Sequence, residues 1–453
     1  MKLFGTVLLA SVSLLSGQAA EDAKPVETTN AVVITTDYIN RLVAEARTNN
    51  PSLKAADSRV RSAALNAQAV RTWDDPMAMF GGSVYSDRGF NPSEDGNLAY
   101  GVEQKLPLWG RPKLTRKVAE TETSMRAAEV NYRFHQLRSD ITKALLMTAL
   151  AERVVEIGEQ DLAWLKATAT ATDNKYRAGQ ASVADTLQIE NEVAKRNDTL
   201  RTEHLRFAHE RFTLNRLLNR QASSPWPSLQ LPPVTPAIPL SDKLLSLAQQ
   251  NEPKLKVLEQ EIKQAEAGAE LTRTLRRPDV SFGVEGRQFS GDGGFRSGMF
   301  TLRFSLPWAN GDKYRKDYER DREKKKSTEH EREDQLLMMR EELHHLAVGI
   351  ESSRREALLH RDEISARALQ ALTSRLTEWE SGRGAFRDVL DARRMVLESQ
   401  LMSARATSRL PFGQPARQRL RRASADLITM QQRLAPGCLD ANGEMVQFLT
   451  HHQ

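Results

Sequence analysis

The sequence predicts a mainly α-helical protein with a small β part, built from two copies of a unit of roughly 200 residues. Motifs recur in the same order: Leu-Pro-Leu-Trp at 106–109 returns as Leu-Pro-Trp at 306–308, and Tyr-Arg-Ala-Gly at 176–179 returns as Trp-Glu-Ser-Gly at 379–382. Only 6% of the residues are aromatic and 27% are charged, a composition typical of long helices packed side by side. Residues 113–173 contain no proline and would span roughly 90 Å as one helix.

The same order of elements is expected in each copy. From the N-terminus the chain divides into a signal peptide (1–20), an N-terminal extension (21–35), a first repeat (36–220), a Pro-rich linker (221–240), a second repeat (241–432) and a C-terminal tail (433–453). Each repeat is expected to hold a helix, then a β-hairpin (77–107 and 280–307), then a helical hairpin (112–220 and 312–432).

Residues 1–20 are typical of a secretory signal peptide. Lys2 precedes an apolar run at 3–15, and small residues lead to a cleavage site after Ala19 or Ala20. The single cysteine, Cys438, cannot form an internal disulfide. After residue 20 no segment is apolar enough to cross a bilayer as a helix, so an exported chain would have to meet a membrane with strands.

Each repeat is expected to open with a helix. Thr36 or Asp37 can cap a helix that runs to about Arg71, and its counterpart is expected at 241–276. Proline ends both helices, in Asp-Asp-Pro at 74–76 and at Pro278, because its ring and missing N–H are incompatible with a helix interior.

Strand periodicity follows each of these helices. In the second copy Phe300, Leu302 and Phe304 alternate with Thr301 and Arg303. Alternation over roughly ten residues suits a strand that crosses an outer membrane. Four such strands cannot close a barrel, and an open edge in lipid would leave backbone groups unpaired, so three chains would have to supply twelve strands. The alternative is that two small hairpins only cap a helical bundle.

Helical hairpins with glycine-containing tips complete each repeat. Gly179 and Gly382 interrupt the helical pattern at corresponding places. Six prolines between Pro225 and Pro239 suit neither a helix nor a central strand, and they mark the linker between the copies.

These motifs, in this order, resemble those of the TolC-like outer-membrane efflux proteins. The resemblance covers residues 36 to 400 and depends on the strand-to-helix segment 102–111 and on two tip motifs. The first tip motif is 176–182 with Asp185, and the second is 379–382 followed by 388–393.

The resemblance implies a homotrimer with a twelve-stranded barrel in the outer membrane and a long α-helical tunnel in the periplasm. It also implies a periplasmic adaptor protein and an inner-membrane pump as partners. The residues that match the family's adaptor-contacting tips are Arg177, Gly179, Ala181, Ser182, Gly382, Gly384 and Phe386. The residues that match the acidic lining of its periplasmic constriction are Asp388, Asp391 and Asp185.

The spacing of two of these acids is compatible with a pore. Asp388 and Asp391 are three residues apart and would share one helix face. Threefold symmetry would turn each into a ring of carboxylates that attracts cations. The alternative is helix capping, because each acid follows a glycine break where a helix N-terminus favours negative charge.

The sequence departs from the family pattern in two places. The family often has a basic or polar residue two positions after the tip glycine, where this chain has Gly384 with Arg383 beside it. The final helix should run towards residue 432, but Pro411, Gly413 and Pro415 predict a break within 408–422.

Other patterns give no sign of an enzyme or a cofactor. His344 and His345 point about 100° apart on a helix and have no further ligand at metal-binding spacing, so a solvated pair is expected. The net charge of +6 comes from interleaved acids and bases, which argues against nucleic acid. Metal ions, drugs and proteins remain open as exported substrates. The functional alternative to an exit channel is a soluble periplasmic coiled-coil scaffold or adaptor.

Overall fold

The computed structural model describes residues 31–84, 96–234, 242–289 and 293–410. This part of the chain is mainly helical with a small sheet, which confirms the predicted fold class. The predicted signal peptide and C-terminal tail lie outside the described residues, as does most of the segment 408–422 in which a break is predicted.

The described residues form nine α-helices. In chain order these are α1 (Thr36–Asn49), α2 (Pro51–Ala69), α3 (Arg111–Arg177), α4 (Val183–Leu218), α5 (Asp242–Asn251), α6 (Pro253–Thr274), α7 (Gly311–Leu358), α8 (Ser365–Glu380) and α9 (Phe386–Arg409). None of the helices in the described ranges is both long and apolar enough to cross a membrane.

The opening helix of each repeat is divided in two, where the sequence predicted one continuous helix. Pro51 and Pro253 stand at the first position of α2 and α6, where a missing N–H costs no hydrogen bond. The Asn50 side chain accepts a hydrogen bond from the N–H of Ser52 at 2.9 Å and donates one to the carbonyl of Leu217 at 2.8 Å. Each proline therefore starts a new helix.

Six strands accompany the helices. They are β1 (Val32–Val33), β2 (Met77–Val84), β3 (Gly96–Lys105), β4 (Leu229–Gln230), β5 (Val280–Phe289) and β6 (Phe295–Phe304). Four of them form one antiparallel sheet in the order β2-β3-β5-β6, in which Val102 of β3 faces Val284 of β5. The hairpins of the two copies thus lie side by side, and β2 and β6 are the sheet edges.

The two faces of this sheet have opposite character. The apolar face carries Phe80, Tyr100, Val102, Phe282, Val284, Phe300, Leu302 and Phe304. No part of the chain that the structure describes covers this face, and Phe300 is 77% exposed. On the opposite face the buried carboxylate of Glu103 accepts hydrogen bonds from Ser281 and Arg303. The sheet is therefore amphipathic across its thickness.

The helical hairpins extend far from the sheet. Helix α3 has 67 residues, which corresponds to roughly 100 Å, and α4 returns along it. In the second copy α7 passes through a π-helical turn at Leu359–Ile364 into α8, and α9 returns. A π turn accommodates an inserted residue without ending the helix.

The junction between β3 and α3 joins the two copies. Trp109 adopts a left-handed conformation with φ of 63°, which costs a non-glycine residue roughly 1–2 kcal/mol. Its indole N–H donates to the carbonyl of Pro278 at 2.8 Å. The guanidinium of Arg111 donates to the carbonyl of Thr274 at 3.1 Å and pairs with Asp279. These contacts across copies hold the strained turn.

A second, two-stranded sheet lies midway along the helices. Strand β1 pairs in parallel with β4, which lies in the segment predicted as a linker. Leu229 of β4 joins an apolar core with residues of α1, α3 and α4, such as Ile39, Leu145 and Leu214. Two-residue strands leave no periodic signal, which is why the sequence did not predict them.

Candidate functional site

The two helical hairpins end in the same turn. Gly179 and Gly382 have φ of 74° and 72°, in the left-handed region that glycine adopts without the steric cost a Cβ brings. In the first tip the N–H of Gln180 donates to the carbonyl of Lys175 at 2.8 Å, and the equivalent bond in the second tip is 2.9 Å long. This is the Schellman helix ending. Both glycines that the sequence placed at the tips are thus required by the backbone.

Most of the predicted contact residues of the first tip lie at the surface. Arg177 is exposed and its guanidinium pairs with the carboxylate of Asp173 at 2.8 Å. Ser182 is exposed, and Ala181 is half-buried. The first tip therefore presents mainly polar groups to solvent.

The second tip is more crowded. A Cβ on Gly384 would lie 2.9 Å from the Cβ of Glu378, so the basic or polar residue of the family pattern would not fit here without movement. Phe386 is only 2% exposed, and its ring lies against Trp379 with the centroids 5.1 Å apart. As the first residue of α9 it belongs to the apolar core between the hairpins, so its side chain is not displayed to a partner in this conformation.

Asp185 acts as a helix cap. The N–H of Ser182 donates to the Asp185 carboxylate at 3.1 Å, and the N–H of Asp185 donates to the Ser182 hydroxyl at 3.2 Å. This reciprocal pair is a capping box at the start of α4. The structure thus shows Asp185 in the helix-capping arrangement, which the sequence analysis gave as the alternative to a pore lining.

Asp388 and Asp391 lie one turn apart at the start of α9 and differ in their surroundings. The exposed Asp388 carboxylate has no hydrogen-bond or ion-pair partner among the described residues. Asp391 pairs with Arg394 at 2.9 Å and with Arg387 at 3.8 Å. No such bond within the described ranges links either acid to Asp185. Asp388 and Asp391 thus share the first turns of α9, whereas Asp185 lies in the first turn of α4.

Lys175 connects the two tips. Its ammonium donates to the carbonyls of Trp379 at 3.4 Å and Glu380 at 3.1 Å, at the C-terminal end of α8. The same nitrogen lies 4.3 Å from the centroid of the Trp379 ring. The partial negative charge of the helix C-terminus and the electron-rich face of the ring both attract this cation. This residue was missed because nothing local in the sequence links it to residue 379.

A buried ion cluster holds three helices together further from the tips. The Asp161 carboxylate on α3 pairs with Arg393 of α9 at 2.8 Å and with Arg196 of α4 at 3.5 Å. Arg196 also pairs with Glu203 at 3.5 Å. Asp161 and Arg196 are 4% and 8% exposed, so water hardly solvates these charges. Each charge is stabilised instead by its ion-pair partners.

Gly158 makes room for this cluster. A Cβ at this position would lie 2.5 Å from a guanidinium nitrogen of Arg196 and 2.8 Å from a carboxylate oxygen of Glu203. Burial raises the pKa of Glu203, and the nearby Arg196 partly opposes that effect. An isolated glycine within a long helix was the one signal in the sequence that could have indicated this close packing.

The structure assembles no evident metal site. Within the described ranges no three His, Cys, Asp or Glu side chains are arranged to hold a metal ion. His344 and His345 are both exposed on α7.

Comparisons with known proteins identify the family. The family model described as outer membrane efflux protein matches residues 42–220 and 244–433. A search of curated proteins found no matching sequence. The outer-membrane channel OprN is 19% identical, with 84% of this chain and 89% of that chain covered and a TM-score of 0.71. VceC from Vibrio cholerae is 18% identical, with 84% and 95% covered and a TM-score of 0.69.

A third solved structure agrees. The CmeC outer membrane channel of Campylobacter jejuni is 14% identical, with 83% of this chain and 84% of that chain covered and a TM-score of 0.70. These similarities show a shared fold. Because the family model matches most of the sequence, the chain belongs to the outer membrane efflux protein family.

Proposed function

We propose that the protein is the outer-membrane exit channel of a tripartite efflux system, a passive conduit formed by a homotrimer and gated at its periplasmic hairpin tips. An inner-membrane pump would supply the energy and a periplasmic adaptor would dock on the tips. The observation that carries the proposal is the four-stranded sheet, with its uncovered apolar face and two open edges, at one end of helices roughly 100 Å long.

The apolar face of the four-stranded sheet supports the proposal that this sheet lies in the outer membrane. Its exposed aromatic and aliphatic side chains alternate with a polar face that carries the Glu103–Arg303 pair. Transmembrane strands have this alternation, with lipid on one side and an aqueous interior on the other. In water the same face would be a large unprotected apolar patch.

The open edges support a trimer. The outer edges of β2 and β6 have no strand beside them within the described chain. An unpaired backbone group costs several kcal/mol in lipid, so these edges need neighbours. If β6 of one chain pairs with β2 of the next, three chains close a barrel of twelve strands.

The tips support a gate. Asp388 is an exposed carboxylate without a partner among the described residues, and Asp391 shares its helix face. Three chains would bring these acids into two rings at the narrow end of the tunnel. Such rings would favour cations and bind divalent ions.

We predict that replacing both acids with alanine in the full-length protein weakens cation selectivity. The double variant Asp388→Ala, Asp391→Ala should show a several-fold lower preference for cations over anions and weaker block by divalent ions, because six carboxylates leave the constriction. The measurement is conductance in planar bilayers. The matched control is Asp362→Ala with Glu363→Ala, two exposed acids on the π turn. Unchanged selectivity in the tip variant would remove these acids from the gate.

We also predict that Lys175→Met raises the fraction of time that the channel is open. The substitution keeps an apolar side chain but removes the bonds to the α8 carbonyls, a loss of about 1–3 kcal/mol. Single-channel recordings report the open fraction. Lys166→Met is the control, because Lys166 is exposed on the same helix and has no ion-pair partner among the described residues. Equal open fractions in both variants would mean that Lys175 does not hold the tips.

A further inference from the structure

We infer that the boundary between the sheet and the helices binds the headgroups of anionic glycerophospholipids. We call this boundary the basic belt and define it as residues 71–76, 105–116, 273–279 and 305–316. The inference rests on the proposed function, because it needs the sheet to lie in the outer membrane.

The position of the basic belt is fixed by the strand ends. Strand β2 begins at Met77 and β5 at Val280, while β3 ends at Lys105 and β6 at Phe304. Since neighbouring strands are antiparallel, these four ends lie along the same edge of the sheet. The belt therefore adjoins the end of the apolar face, which is where lipid headgroups begin.

The belt carries an excess of positive charge that the rest of the chain lacks. Its four segments contain 11 Lys and Arg against 4 Asp, a net charge of +7, whereas the whole chain carries +6. The remaining residues are thus close to neutral. A cluster of basic residues beside a membrane-spanning element attracts anionic lipid.

Most of these cations have no carboxylate partner within the described residues. The seven without one are Arg71, Lys113, Arg116, Arg273, Arg276, Arg277 and Lys313. The other four pair with acids; Arg111 with Asp279 is one example. The unmatched cations remain available to phosphodiester oxygens, which guanidinium groups bind with two parallel hydrogen bonds.

Aromatic side chains accompany the cations. Trp73, Trp109 and Trp308 are half of the chain's tryptophans, and all three are exposed in the belt. The guanidinium of Arg277 lies 5.1 Å from the Trp109 ring centroid. Indole rings favour the headgroup level because they are apolar with one polar N–H.

A groove in the belt could hold part of a lipid next to its headgroup. It has a volume of about 640 Å³ between the ends of α2 and α6. Its charged lining residues are Arg71, Lys105, Arg111, Asp74, Asp75 and Asp279, and its apolar lining includes Leu106, Leu108 and Leu275, so the groove would hold the apolar part of the lipid while the unmatched cations of the belt bind the phosphate. A free phosphate ion would leave the apolar lining and the tryptophans unused, so the whole phospholipid is the ligand that fits.

The test uses the full-length protein in mixed micelles with dansyl-labelled phosphatidylglycerol or phosphatidylcholine. Energy transfer from the belt tryptophans reports binding. The protein should prefer phosphatidylglycerol, and salt should weaken that preference. The variant Arg276→Gln, Arg277→Gln should bind phosphatidylglycerol about 30-fold more weakly, because each basic residue contributes roughly fivefold.

The control is Arg201→Gln with Arg206→Gln, two exposed arginines on α4 that should leave lipid binding unchanged. Reconstitution into phosphatidylcholine vesicles separately reports insertion and conductance. A channel that conducts but binds both lipids equally at every salt concentration would overturn the inference and leave the proposed function standing. Failure to insert into any bilayer would overturn both.

Discussion

Replacing Phe300 with arginine is expected to prevent assembly in the outer membrane, whereas replacing the adjacent Thr301 with arginine should leave assembly intact. Phe300 lies near the middle of β6 on the uncovered apolar face, and Thr301 points to the opposite, polar face. An arginine facing lipid near the midplane costs roughly 2–4 kcal/mol in each chain. A trimer would incur this cost three times.

The measurement is the yield of heat-modifiable oligomer in the outer-membrane fraction. The two variants differ by one position and carry the same new side chain, so charge and size are matched. If both variants assembled equally well, the apolar face would not be in contact with lipid. If only the Thr301 variant failed, the faces would be reversed.

Replacing Asp161 with alanine is expected to destabilise the hairpin assembly by about 3 kcal/mol, because Arg393 would lose its carboxylate partner and the buried Arg196 would keep only Glu203. Thermal and denaturant unfolding of the purified oligomer would measure the loss. Since the cluster links α3 and α4 of the first hairpin to α9 of the second, the variant should also spend more time open.

The matched control is Asp173→Ala on the same helix. Asp173 pairs with Arg177 at the surface, where an ion pair contributes only about 0–1 kcal/mol. The double variant Asp161→Ala, Arg393→Met should lose less than the sum of its single variants, because it removes one of the stranded charges. Equal losses for Asp161→Ala and Asp173→Ala would contradict the assigned role of the cluster.

Features with a local cause were predictable from the sequence. Alternation along 300–304 predicted which side chains share the apolar face, because a strand repeats every two residues. Gly179 and Gly382 predicted the tips because a left-handed helix ending favours glycine. Recurring motifs and a family resemblance led to the efflux family, which the family model confirms.

Features that depend on distant residues were not predictable. Asp161, Arg196 and Arg393 are three among many charged helix residues, and only the packing of three helices brings them together. The burial of Phe386 likewise depends on Trp379 of the preceding helix. The domain plan, the constriction acids and the adaptor contacts stay predictions.

The two returning helices, α4 and α9, differ in how their N-termini are capped. Helix α4 starts with a capping box at Ser182, whereas α9 starts after Ala385, whose side chain accepts no hydrogen bond. A side-chain cap contributes about 0.5–2 kcal/mol, so the start of α4 has a stabilising contribution that the start of α9 lacks. In the trimer proposed above, six returning helices would surround the tunnel, and capped and uncapped helix starts would alternate around it.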